Sequence, residues 1–85
     1  MLDEWIEFHS SYVAAGKFSF PPGQKFPAKQ RALGTLWCRM KNAGKADVIC
    51  RYDNVPFIVW EGLLSADSKG KFHHAAIRPL SYVVE

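Results

Sequence analysis

The groups in this chain that could do chemistry are two cysteines, three histidines and eight carboxylates, and their spacing decides what they can do. Cys38 and Cys50 are too far apart for a CxxC pair and match no zinc signature. His73 and His74 are neighbours, and adjacent side chains of an extended segment point to opposite faces, so the two cannot hold one ion together. His9 lies far from both in sequence. Among the acids of the second half, Asp47, Asp53, Glu61 and Asp67 are scattered and fall mostly near turns. The chain has no glycine-rich phosphate loop, nucleophile elbow or metalloprotease helix motif. These residues point to neither an enzyme nor a metal- or cofactor-binding protein.

The thiols sit in apolar surroundings, Leu36-Trp37-Cys38 and Val48-Ile49-Cys50, and read as reduced, buried side chains acting as small hydrophobes. The N-terminal Met1-Leu2-Asp3-Glu4-Trp5 lacks the basic start and apolar run of a secretion signal. No window approaches the length of apolar sequence that spans a bilayer. A cytoplasmic location and no membrane partner are the expectations.

The strongest pattern is one of charge. Residues 17–45 carry Lys17, Lys25, Lys29, Arg31, Arg39, Lys41 and Lys45 and no acid, seven positive charges in a chain whose net charge is +3. A same-sign block attracts a polyanion and releases its counterions on binding. Phe18, Phe20 and Phe26 interleave with these cations, and aromatic faces stack on unpaired bases. Lys25, Lys29, Arg31, Arg39 and Lys41, with Phe18 and Phe20, are therefore the candidate contacts to nucleic acid or to an acidic protein surface. The bland alternative is that the lysines solvate a helix and the phenylalanines complete a core.

The elements that must position these residues follow from periodicity. With 85 residues, 48% of them apolar, one domain spanning 1–85 is expected. Leu2, Trp5, Ile6, His9, Tyr12 and Val13 recur at spacings of three and four, predicting a first helix stopped by Gly16. Pro21-Pro22-Gly23 breaks the chain into a connector. Ala32, Leu33, Leu36, Trp37 and Met40 predict a second, basic helix from Pro27 to Gly44. From Asp47 the residues turn β-branched and aromatic, and two strands flank a proposed hairpin turn at Asp53-Asn54. Residues 65–71 read as a polar loop and residues 72–84 as a third strand. The expected fold is α+β, two N-terminal helices packed on a three-stranded antiparallel meander in the order ααβββ, with Trp5, Leu36, Trp37 and Phe57 in the core.

In that arrangement Ile49, Ile58 and Trp60 lie on the sheet face away from the helices, an apolar patch of the kind that marks interfaces. The functional expectation is a small non-catalytic module acting on nucleic acid or a nucleic-acid-handling complex through residues 17–45. Its alternative is a protein-binding inhibitor or adaptor of the phage or bacterial accessory type, working through Ile49, Ile58 and Trp60, as a homodimer in one version. Over residues 28–60, the order of basic helix and hairpin resembles winged-helix DNA-binding modules in outline. An intervening helix of those modules is absent, and Asp53 occupies the wing tip, where it would face phosphate.

Overall fold

The computed structural model describes residues 4–20, 32–42 and 44–85. Five antiparallel strands form one sheet in the order β1-β2-β3-β4-β5. They are β1 (Ile6–Glu7), β2 (Val13–Ser19), β3 (Leu33–Met40), β4 (Val48–Pro56) and β5 (Val83–Val84). Between β4 and β5 the chain forms α1 (Phe57–Ser65), α2 (Lys69–Phe72) and a π-helical turn, His73–Ile77. The helical layer covers one face of the sheet, which gives a two-layer fold.

This overturns the ααβββ order. The N-terminal stripe is a strand–turn–strand: Ser10 Oγ accepts hydrogen bonds from the Tyr12 and Val13 amides at 3.2 Å, turning the chain from β1 into β2. Gly16 does not stop a helix. It sits in β2, where a Cβ would lie 2.9 Å from the Trp60 ring and 3.1 Å from Phe8. The second predicted helix is β3. Leu36, Cys38 and Met40 point into the core while Thr35, Trp37 and Arg39 point out, a period of two that Leu33, Leu36, Trp37 and Met40 mask by also matching helical spacing. Gly34 lies where a Cβ would meet the Phe18 ring at 2.5 Å and the Ser19 carbonyl oxygen at 2.7 Å. Gly44, at φ +72°, turns the β3–β4 connection.

Asp53-Asn54 is likewise no hairpin turn. The β3–β4 register runs from Gly34↔Val55 to Leu36↔Tyr52, so Asp53 and Asn54 together oppose Thr35 in a bulge within a single strand. Asn54 supplies the left-handed conformation (φ 56°) that its residue type tolerates in bulges and turns alike. The apolar run that follows is α1, entered through Pro56. Ser68 accepts from the Lys71 amide to start α2 where a loop was expected, and only Val83–Val84 of the expected third strand is strand. With no helix before β4, nothing of the winged-helix outline remains among the described residues.

The core lies between the sheet and the helical layer. Phe18, Leu36, Tyr52, Val55, Trp60, Leu63 and Ile77 are buried to within a few per cent. The Phe18 ring stacks on Trp60 at 6.1 Å and meets Phe57 and Phe20 edge-on at 5.6 and 5.1 Å. Leu36 is a core residue as expected, Phe57 packs at its margin, and Trp5 and Trp37 lie on the opposite side of the sheet. None of the described helices is long and apolar enough to cross a membrane.

Candidate binding face of the sheet

Alternation along each strand sends every second side chain away from the helices. Because neighbouring strands are in register, these side chains form rows across the sheet. Glu7, Ala15, Arg39 and Ile49 make one row. Lys17, Trp37, Arg51 and Val83 make the next, and Trp5 lies over its β2 end.

The second row alternates aromatic and cation. The Lys17 ammonium sits 5.0 Å from the Trp5 ring centre and 4.4 Å from that of Trp37. The Arg39 guanidinium lies 5.7 Å from the Trp5 ring. Trp37 donates its indole N–H to Glu85 Oε1 at 3.1 Å, and Glu85 Oε2 accepts from Arg51 at 2.9 Å. Arg51 Nε is 3.3 Å from Asp53. One Arg39 nitrogen spans both carboxylate oxygens of Glu7 at 2.6 and 2.8 Å, and Arg39 Nε faces Asp47 at 3.6 Å. Three cations thus stand among four carboxylates, and both tryptophans are held in place by charged neighbours. Beyond Arg51 the face opens into a groove of about 230 Å³ lined by Asp53, Asn54, Ser81, Tyr82 and Val83.

The sequence-predicted residues are dispersed. Lys25, Lys29 and Arg31 lie outside the described residues. Arg39 belongs to the ion-pair lattice, and Lys41 is exposed just past β3. Phe18 is fully buried, its ring packed on Trp60, Phe57 and Phe20, so it presents no face to a base. Phe20 is half-buried against Phe18 and Phe57. Of the alternative trio, Ile49 is half-buried on the outer face, Ile58 is exposed on α1, and Trp60 is in the core. They form no single patch, because Ile58 and Trp60 belong to a helix and not to a strand. Sequence reasoning missed Trp5, Trp37 and Arg51 as a group. The signal was the alternation Thr35-Leu36-Trp37-Cys38-Arg39-Met40.

The inner face carries a second cluster of polar groups. Cys38 and Cys50 are directly opposite each other in β3 and β4, free and buried. The Glu85 amide donates to the Ile49 carbonyl, which turns the Ile49 backbone toward β5 and that of Cys50 toward β3. The cysteines therefore occupy a hydrogen-bonded pair, the more widely spaced of the two antiparallel positions. Burial, reinforced by Cys50, pushes the Cys38 thiol up to about 12, and burial raises Cys50 against a hydrogen bond from Tyr52. Such thiols are poor nucleophiles. Next along β4, the Tyr52 hydroxyl is 3.0 Å from His73 Nε2, and burial raises the Tyr52 phenol above its ordinary value. His73 is buried where an exposed edge was expected, and Nδ1 of its ring has no hydrogen-bond partner among the described residues. Burial, with the charges of His74 and Arg78, lowers the imidazole to about 4. Among the described residues no three His, Cys, Asp or Glu side chains converge to hold a metal.

No curated protein and no solved structure matches this chain. A family model does match, over residues 45–82, and that segment contains β4, both helices and the π-helical turn, with the Tyr52–His73 contact inside it and β1 to β3 outside. Over this second half, the chain is similar to the KTSC domain.

Proposed function

We propose that this small domain is a non-catalytic module that docks a protein partner on the outer face of its sheet. The observation that carries this reading is the pair Trp5 and Trp37, standing on the sheet face that none of the described helices covers and fixed there by Lys17, Arg39 and Glu85. Solvated faces of antiparallel sheets ordinarily carry polar side chains. Tryptophan and arginine dominate interface hot spots, and side chains already immobilised lose little further freedom on binding. The groove beyond Arg51 offers a slot for one side chain of the partner. The local charge balance argues against a polyanion on this face, since each arginine already faces two carboxylates.

A second reading keeps nucleic acid as the partner, contacted from elsewhere. It rests on the acid-free run of cations, of which Lys41 and Lys45 are exposed around the β3–β4 turn. Affinity purification with and without nuclease separates the two. Docking on the sheet face predicts a nuclease-resistant partner that Trp37→Ala loses while remaining folded. Phosphate binding predicts a nuclease-sensitive partner, with a salt slope that flattens by roughly one for each of Lys29, Arg31 and Lys41 exchanged for alanine. Capture that is nuclease-resistant and unaffected by Trp37→Ala would contradict both.

A further inference from the structure

We propose that the Tyr52–His73 contact is an acid-released latch that holds the C-terminal helical layer, residues 69–78, against the sheet. His73 opens the π-helical turn, whose wider backbone bond runs from the Arg78 amide to the His73 carbonyl at 2.7 Å. The ring is 3% exposed and, among the described residues, makes one polar contact, the Tyr52 hydroxyl at 3.0 Å. The aromatic ring of Tyr12 closes on it edge-on at 5.6 Å from the turn before β2.

The groups facing the imidazole settle how it responds to a proton. From β4 it meets Tyr52, with Cys50 one alternation further along the strand. From the turn before β2 it meets Tyr12, and from its own helix the charges of His74 and Arg78 act on it. The phenols and thiols are neutral in acid, and the two charged neighbours repel a second positive charge. When the neutral ring carries its proton on Nε2, protonation also adds a buried Nδ1–H with no receiver among the described residues. Protonation is therefore relieved only by exposing the ring. The elements bearing it are light, a four-residue helix and a five-residue π turn that pack on the rest of the domain through contacts with Tyr12 and Tyr52 and through Phe72 and Ile77. Local opening of these elements is a smaller event than unfolding the sheet.

Hydrogen exchange of the whole chain between pH 7 and 4, corrected for intrinsic rates, tests the latch. The opening constant of amides in 69–78 should rise about tenfold per pH unit below 6.5. It should level off near the imidazole's lowered value of about 4, while amides of β2 and β3 stay protected. The double variant Tyr52→Phe/His73→Phe removes both partners with little change of shape and keeps the layer packed without a titrating group. Its opening should be independent of pH over the same range. A flat wild-type profile, the same acid response in the double variant, or equal exposure of β2 and β3 would each overturn the latch. None of these results bears on partner docking at the outer face, which the Trp37→Ala capture assay reads separately.

Discussion

The two faces of the sheet are made from alternate residues of the same strands, yet they solve different problems. On the inner face Phe18, Leu36 and Tyr52 are buried to within a few per cent beneath Trp60 of α1. On the outer face Trp5 and Trp37 keep part of their surface in water and are held by charges. One tryptophan, Trp60, is there for the fold; the other two face outward and suit a partner. The comparison teaches that residue type alone does not assign an aromatic its task here. Its strand parity, or its place on the helix, does.

The largest expected effect is on the inner face. Trp60→Ala or Phe18→Ala should cost about 3–5 kcal/mol in a thermal or denaturant melt, by loss of burial plus a residual cavity. Trp37→Ala should cost only about 1 kcal/mol, as befits a side chain at the partly exposed outer face. Equal losses for Trp60 and Trp37 would erase the distinction between the faces.

Acid should come next. The folded-state imidazole of His73 lies below its ordinary value of 6.5, at about 4. The neutral ring therefore contributes stability that is fully present above pH 6.5 and falls away as the pH drops toward 4, on the order of 3 kcal/mol in all. Cys38 has the opposite sign. Its thiol is raised from 9.0 to about 12, so its contribution is complete below pH 9 and is lost as the pH climbs above that. A stability profile against pH should thus fall off at both ends, and His73→Phe should remove the acid limb alone. Labelling of Cys38 and Cys50 in the native protein at pH 8 should proceed only as fast as the sheet opens.

Gly34→Ala probes the join between the layers. Its added methyl would meet the Phe18 ring and the Ser19 carbonyl, and the backbone on that side cannot yield. A loss of about 1–3 kcal/mol is expected from overpacking. The smallest effect belongs to the outer lattice. Arg39→Ala breaks two partly exposed ion pairs and should change stability by less than about 1 kcal/mol, while reducing capture of a partner.

These particulars explain how far the fold and the candidate face could be read from sequence. Leu36 as core and the strand character of residues 48–52 were legible, because burial and β-branched enrichment act locally. The helices expected over the first half were not strands to the eye, since a short run with apolar residues three and four apart satisfies both periods. Gly16 and Gly34 would have broken the tie. Each is glycine because a ring from another part of the chain approaches it, a fact invisible without the third dimension. Asn54 misled in the same way, for a left-handed residue serves a bulge as readily as a turn. The basic run of 17–45 is plain in sequence, but the acids that neutralise Arg39, Glu7 and Asp47, come from outside it.

Photo-crosslinking from the sheet and from the helical layer reads where a partner docks. A benzophenone side chain placed at Thr35, on the outer face, should give a covalent adduct with a nuclease-resistant protein partner. The same group at Ser65, exposed at the end of α1, should give none. Adducts from Ser65 and not from Thr35 would contradict the assignment of the sheet face as the docking surface.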